Sequence, residues 1–266
     1  MASAIVENVA SIRQTAGSGP ALAILTVLAL ASAGLSTATA AEDRPFVLAI
    51  DPGHGGSNLG AASPGGAVFE KKITLDLARR LRDRLSADPR IQVILCRDQD
   101  VLVPIRARAR CVQTAHADLF LSLHANASPP GVAPGTRRGF EVYVLSPQEI
   151  EDDAAVAAAR EPEDADAVWA AHRVRSAAAR SARAAYVFEH RLKEALGPRS
   201  SRGIRQRGAS LDVLRGTGAP GLLVEIGFLD HPEEAAQLTS AGGLDRLAAA
   251  LAHAVVDVGD GRPGKH

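Results

Sequence analysis

The stretch Phe46–Gly56 has the sequence FVLAIDPGHGG and contains the strand and the loop around which the predicted fold is organised. Its first five residues are apolar and rich in strand formers, which predicts a buried β-strand. The segment that begins at Asp51 breaks this strand, because proline lacks a backbone N–H and glycine can adopt positive φ. A bendable polar loop at the carboxyl end of a buried strand is a common ligand site in α/β sheets. His54 lies in this loop and is a candidate metal ligand, although a solvated loop histidine is the simpler interpretation of this residue alone.

Strand and helix patterns alternate along the remainder of the chain. Apolar runs predict further strands at 91–96, 119–123, 139–145, 211–214 and 222–226. Apolar periodicity and start signals predict helices that begin at 70, near 104, at 146, after 162 and at 232, with a last helix over about 244–256. This alternation favours the α/β class, with a single α/β/α sandwich and a mostly parallel or mixed sheet of about six strands flanked by helices.

Composition and charge narrow the class of protein. The chain has 266 residues, of which 46% are hydrophobic and 23% charged, so it can build one sizeable core. The formal net charge of +0 gives no electrostatic reason to expect a nucleic-acid partner. Cys96 ends the apolar run IQVILC and Cys111 lies inside a predicted helix, so both are interpreted as small buried thiols. Neither has a cysteine neighbour of the kind found in metal sites. A disulfide between them is chemically permitted if the protein is exported.

The first forty residues indicate a secretory signal peptide. Ala21–Leu35 is a continuous apolar run, and Ala38-Thr39-Ala40 is a small-x-small cleavage signal. The run is shorter than the roughly 20 residues of a membrane-spanning helix. We therefore expect cleavage after Ala40 or Ala41 and no membrane span afterwards, with a membrane anchor as the alternative. The expected organisation is a signal peptide over 1–40, one folded domain over 41–258 and a loose tail over 259–266.

Three further residues have the chemistry of metal ligands or of a general base. His124 follows the strand predicted at 119–123, Glu70 begins the helix after the His54 loop, and Glu225 interrupts the apolar run LLVEIGF. A carboxylate inside such a run is costly to bury unless it is paired or used. Two histidines and one carboxylate leave a fourth tetrahedral position open, as in catalytic zinc sites, and a nearby glutamate can serve as base. The spacing differs from HExxH and is weakly specific by itself.

Four blocks of the sequence resemble the amidase-3 family, the zinc-dependent N-acetylmuramoyl-L-alanine amidases of bacterial cell walls. The blocks are IDPGHGGSNLGA at 50–61, FEKKITLDLARRL at 69–81, ADLFLSLHANAS at 117–128 and LLVEIGFLDHPEEAAQL at 222–238. The resemblance implies that His54, Glu70 and His124 bind Zn²⁺ and that Glu225 is the catalytic acid/base. It implies that 41–258 is the catalytic domain and that the enzyme hydrolyses the amide between the lactyl group of N-acetylmuramic acid and L-alanine in peptidoglycan.

The resemblance and the signal peptide together predict a monomeric enzyme in the periplasm or elsewhere in the cell envelope. Two alternatives stay open at this point. One is another zinc amidohydrolase or peptidase on the same scaffold. The other is a catalytically silent wall-binding module, which would normally lack one of the four key residues, and here all four are present.

Residues 146–166 form an acidic insert with a helix start of its own. Ser146-Pro147-Gln148-Glu149 is a capping box with proline at the first helical position. In division amidases of the family, a helix inserted here is thought to lay a glutamate on the zinc until an activator removes it. The resemblance thus implies an autoinhibitory role and an envelope activator protein as partner. Glu151 is the first candidate, ahead of Glu149, Asp152 and Asp153, because Glu149 is expected to cap the helix; a solvated acidic loop without regulatory role is the alternative.

Overall fold

The computed structural model describes residues 44–206 and 211–261. A six-stranded sheet with the order β2-β1-β3-β6-β4-β5 forms the centre of this part of the chain. The strands are β1 (Phe46–Pro52), β2 (Ile91–Leu95), β3 (Leu119–Asn126), β4 (Phe140–Val144), β5 (Ser201–Gln206) and β6 (Gly221–Phe228). Neighbouring strands run parallel except β4 and β6, which are antiparallel, so the predicted mixed sheet is confirmed. The predicted signal peptide lies outside the described residues.

Helices cover both faces of the sheet, which confirms the α/β/α sandwich. They are α1 (Glu70–Leu85), α2 (Ile105–Thr114), α3 (Pro147–Ala158), α4 (Asp164–Leu196), α5 (Pro232–Leu238) and α6 (Ala241–Asp260). The larger core lies between the sheet and helices α1, α4 and α6. The smaller core lies on the opposite face, where α2 and a 3₁₀ turn at Asp212–Leu214 pack on the sheet. No helix among 44–206 and 211–261 combines the length and apolarity that crossing a membrane requires.

The strand predicted at 211–214 is wrong. Asp212–Leu214 is a single 3₁₀ turn whose buried neighbours Leu211, Val213 and Leu214 cover the second face of the sheet. The sixth strand is instead β5, which pairs with β4 at the edge of the sheet. β5 is partly exposed and polar, with the sequence SRGIRQ, so it lacks the apolar run by which buried strands are recognised.

The interpretation of the two cysteines as separate thiols is also wrong, since Cys96 and Cys111 form a disulfide. Cys96 directly follows β2, and Cys111 lies on α2. The bond ties the end of an outer strand to the helix that packs across the second face. Sequence spacing could not reveal this, because the two cysteines meet only after α2 has folded onto the sheet.

Candidate metal centre

The three predicted metal ligands come together at the carboxyl ends of β1 and β3. The structure places one ligand atom of each of His54, Glu70 and His124 within 4.8 Å of the others. His54 Nε2 lies 3.0 Å from Glu70 Oε2, and His124 Nδ1 lies 2.9 Å from Glu70 Oε1. A loop after β1, the first residue of α1 and a residue of β3 therefore converge on one point. The three residues that the sequence indicated as candidate ligands therefore lie together, and their role as metal ligands stays a prediction.

Backbone amides fix the carboxylate of Glu70 between the two histidines. Its Oε2 accepts a hydrogen bond from Ala61 N at 2.8 Å, and its Oε1 accepts one from Ala125 N at 2.9 Å. Burial opposes ionisation of Glu70, but hydrogen bonds from His124 and His54 outweigh it and hold its pKa far below the ordinary value. Glu70 is therefore an anionic group with a fixed orientation, as a metal ligand requires.

The orientation of His54 is set by a neighbour in its own loop. Its backbone has a φ of 62°, a left-handed conformation that non-glycine residues rarely adopt. Its Nδ1 lies 2.8 Å from Asn58 Oδ1, which suits a protonated Nδ1 that donates to the amide oxygen. With Nδ1 held in this way, Nε2 is the ring nitrogen that faces Glu70, and it would offer its electron pair to an ion once a bound cation displaces its proton.

Two glycines allow the ligands to approach one another. A Cβ atom on Gly53 would lie 2.4 Å from Cε1 of the His124 ring, and one on Gly60 would lie 2.4 Å from Glu70 Oε2. Neither contact is sterically acceptable. Gly53 and Gly60 are thus needed because the side chains of His124 and Glu70 pack directly against their backbone.

Buried arginines hold the His54 loop from beneath. Arg108 contacts the carboxylate of Asp51 and donates to His54 O at 2.8 Å. Arg97 donates to Pro52 O at 2.8 Å and to Gly53 O at 2.7 Å. Both arginines are almost fully buried, and their charged guanidinium groups donate these hydrogen bonds to backbone carbonyls of the loop. The sequence did not reveal this support, because Arg108 lies on an arginine-rich helix of the kind that usually faces solvent and Arg97 lies in the segment after β2.

Glu225 lies beside the ligand cluster with an unpartnered oxygen. It is the register partner of His124 in the β3–β6 pair, so both side chains point to the same face of the sheet. Its Oε2 is buried and has no hydrogen-bond partner in the described structure. Burial raises the pKa of Glu225 to about 7, so it can exchange a proton near neutral pH.

A second carboxylate, Glu141, was missed by the sequence analysis. It is the register partner of Glu225 across the antiparallel pair β4–β6 and is likewise buried. Its Oε2 accepts hydrogen bonds from Tyr143 Oη at 2.7 Å and from Asn126 Nδ2 at 2.8 Å. The signal that could have revealed it is the one that revealed Glu225: a glutamate inside an apolar strand, here GFEVYVL.

The acidic insert folds as predicted, but its glutamates do not reach the ligand cluster in this structure. Ser146 and Glu149 form the reciprocal capping box at the start of α3. Glu151 is exposed and forms an ion pair with Arg175 of α4 at 2.6 Å. The cavity at the ligands has a volume of about 560 Å³ and is lined by no residue of α3. The expected contact between Glu151 and the cluster is therefore not observed, and a regulatory role of the insert stays a prediction.

The donor set fits a zinc ion. Two imidazole nitrogens and one carboxylate are the ligands that catalytic zinc uses when one position stays open. Asn58 and two backbone amides supply the outer hydrogen bonds that such ligands require. The unpartnered Glu225 carboxylate faces the same cavity. Fold and site together define an α/β protein with a candidate metal centre at the carboxyl edge of its sheet.

Comparison with known families identifies the chain more narrowly. The family model Amidase_3, described as N-acetylmuramoyl-L-alanine amidase, matches residues 48–257. The chain therefore belongs to this family of amide hydrolases.

Two curated bacterial relatives are about one third identical to the chain. A probable N-acetylmuramoyl-L-alanine amidase AmiB of Haemophilus influenzae is 33% identical over 74% of this chain and 48% of its own length. The N-acetylmuramoyl-L-alanine amidase AmiC of Neisseria meningitidis is 32% identical over 80% of this chain and 52% of its own length. The chain thus spans about half the length of these relatives.

A solved structure supports the same fold. The N-acetylmuramoyl-L-alanine amidase of Clostridium difficile 630 superposes with a TM-score of 0.65 at 25% identity. The match covers 82% of this chain and 99% of that one.

Proposed function

We propose that this protein is a zinc-dependent N-acetylmuramoyl-L-alanine amidase. It would hydrolyse the amide that joins the lactyl group of N-acetylmuramic acid to L-alanine in peptidoglycan. The observation that carries the proposal is the His54, Glu70 and His124 cluster with the unpartnered Glu225 carboxylate beside it. Family membership gives the substrate class, because the relatives are named as amidases of this bond.

The chain's own residues account for binding and proton transfer. His54, Glu70 and His124 would hold the ion, which when bound polarises the substrate carbonyl and increases the acidity of water. Glu225 accepts a proton from the attacking water and donates one to the departing amine nitrogen. A pKa of about 7 suits both steps, because the group is partly protonated and partly ionised near neutral pH.

Mass spectrometry of the products formed from purified peptidoglycan tests the proposal directly. We expect free stem peptides that begin with L-alanine, together with glycan strands that keep an intact lactyl group. A chelator should abolish both products, and added zinc should restore them. Release of peptides cut elsewhere in the stem would instead support another zinc peptidase on this scaffold. Peptidoglycan binding without any release would support the silent wall-binding module.

We further propose that the protein is exported to the periplasm or another part of the cell envelope, where peptidoglycan lies. The sequence support is the apolar run Ala21–Leu35 followed by the cleavage signal at Ala38–Ala40. N-terminal sequencing of protein recovered from the host envelope should find a start at Ala41 or Glu42. An intact Met1 or Ala2 in membrane-bound material would show an anchor instead.

A further inference from the structure

The buried carboxylate Glu141 is shared by two arginines of the edge strand β5. Arg202 Nε lies 3.0 Å from Glu141 Oε1, and Arg205 Nε lies 3.4 Å from the same oxygen. The Arg202 guanidinium also lies over the ring of Phe228, with its Cζ 5.2 Å from the ring centre. Glu141 is ionised: burial opposes this, but hydrogen bonds from Tyr143 and Arg202 outweigh burial and lower its pKa.

The three charges do not cancel. One carboxylate faces two guanidinium groups, so the cluster of Glu141, Arg202 and Arg205 carries a net charge of +1. Its positive groups face outward: the side chain of Glu141 is 6% exposed, whereas those of Arg202 and Arg205 are 30% and 44% exposed. Among residues 44–206 and 211–261, Arg205 has no other ion-pair partner than Glu141. Its terminal nitrogens can therefore bind an anion in the fork geometry that suits a carboxylate.

The cluster lies on the same face of the sheet as the metal ligands. Glu141 is opposite Glu225 on β4, and Arg205 is the register partner of Tyr143, which lines the cavity at the ligands. Paired Cα atoms on neighbouring strands, such as those of Glu141 and Glu225, are about 5 Å apart. The guanidinium groups of Arg202 and Arg205 lie a further hydrogen-bond distance beyond the carboxylate of Glu141. These spacings put the two guanidinium groups roughly 8–10 Å from Glu225.

We propose that Arg202 and Arg205 form a carboxylate subsite for the second residue of the stem peptide. This inference rests on the proposed amidase function. In the substrate the residue after L-alanine is an acidic residue joined onward through its side chain, which leaves its α-carboxylate free. Two extended residues span about 7 Å, and a hydrogen bond adds about 3 Å. A substrate whose scissile carbonyl lies beside Glu225 therefore places this carboxylate within hydrogen-bond reach of the arginines. The peptide then runs from the ligand cluster across β4 towards β5, and the glycan leaves on the opposite side.

The competing explanation is that both arginines only neutralise buried Glu141. A single guanidinium would suffice for that, and Arg202 already makes the closer contact. Under this explanation a change at Arg205 affects folding or all substrates alike. Under the subsite proposal it affects only substrates with the free carboxylate. The two explanations therefore predict different substrate dependence for the same variant.

The test uses two synthetic muramyl tripeptides that differ only at the second residue, with a free α-carboxylate in one and a carboxamide in the other. Zinc-loaded mature protein should cleave the carboxylate form with a higher kcat/KM, by about five- to tenfold. Arg205→Gln should lose this preference, chiefly by raising KM for the carboxylate form. Arg205→Lys should keep part of it, because the charge remains and the fork is lost. Arg180→Gln on the exposed side of α4 is the matched control and should behave as wild type.

The outcomes distinguish a failure of the proposed carboxylate subsite from a failure of the proposed amidase function. An Arg205→Gln variant that keeps the preference, or that loses equal activity on both substrates, overturns the subsite and leaves the amidase intact. If the wild-type protein cleaves neither substrate, the proposed function fails. The subsite is then decided by calorimetric binding of the free tripeptide in its carboxylate and carboxamide forms. Tighter binding of the carboxylate form that is lost in Arg205→Gln supports the subsite, and equal binding of both forms contradicts it.

Discussion

The ring of His54 is oriented at the candidate metal centre by a side chain in its own loop. Asn58 Oδ1 lies 2.8 Å from His54 Nδ1 and holds the ring in the orientation in which Nε2 faces Glu70. Outer hydrogen-bond partners of metal ligands typically change metal affinity by 10- to 100-fold. We expect Asn58→Ala to weaken zinc binding by about tenfold while the protein stays folded. Competition with a chromogenic chelator measures this affinity, and Asn58→Asp, which keeps the acceptor, should retain near-native affinity.

Glu225 and His124 differ in role although they are register partners on adjacent strands. Glu225→Gln should keep zinc binding, because Glu225 is not among the clustered ligand atoms, but it should lower kcat by at least about 100-fold. His124→Ala should lose both zinc and activity. Metal analysis of the purified variants together with a peptidoglycan-hydrolysis assay distinguishes the two roles. Full activity in Glu225→Gln would remove it from the catalytic assignment.

At the scale of elements, the Cys96–Cys111 disulfide braces the supports of the His54 loop. Cys96 immediately precedes Arg97, and Cys111 lies one helical turn after Arg108 on α2. Both arginines donate to the loop backbone, so the bond fixes the two elements that carry them.

The paired change Cys96→Ser and Cys111→Ser should lower the free energy of unfolding by about 3 kcal/mol, as expected for a loop of this length. It should also weaken zinc binding, because the arginines then hold the loop less firmly. Urea unfolding and zinc titration measure the two effects. Loss of stability with unchanged zinc affinity would show that the bond is structural only.

The insert α3 packs along α4 and is held there by charged contacts on both sides. Glu151 pairs with Arg175, and Asp153 pairs with Arg215 at 2.7 Å. A glutamate of α3 could act at the metal centre only if these contacts broke and the helix moved.

Replacing Glu149–Asp166 by a short glycine linker tests whether the insert restrains activity. If it does, the hydrolysis rate on purified peptidoglycan should rise without any partner protein. A variant that folds, binds zinc and shows an unchanged rate would assign the insert no gating role. Arg175→Gln is a milder companion, since it frees Glu151 without removing the helix.

At the scale of the whole molecule, the candidate metal centre brings together segments that are distant in the chain. Its proposed ligands come from the loop after β1, from α1 and from β3. An ion that binds only the folded state stabilises it by mass action, by about 4 kcal/mol at a thousandfold excess over Kd.

We therefore expect zinc to raise the Tm of metal-free protein by about 8–16 °C. Differential scanning calorimetry with zinc and with EDTA measures the shift. Glu225→Gln should show the same shift, and His124→Ala should show none. A shift that survives in His124→Ala would mean that zinc stabilises the fold at another place.

The sequence by itself determined the α/β/α class and most helix and strand positions, and it predicted the four residues of the candidate site. Those features depend on local periodicity, on turn-forming residues and on motifs that can be read within a few residues. Glu225 was found because a charge inside an apolar strand has a large desolvation cost wherever the strand lies.

Only the tertiary structure decided which elements meet. The polar edge strand β5, the Cys96–Cys111 bond and the buried arginines beneath His54 all depend on contacts between segments far apart in sequence. Arg108 illustrates the reason: its helical pattern is that of a solvent-facing residue, and it is buried only because α2 folds over Asp51. The same holds for Arg202 and Arg205, which acquire a shared partner only when β5 pairs with β4 beside Glu141.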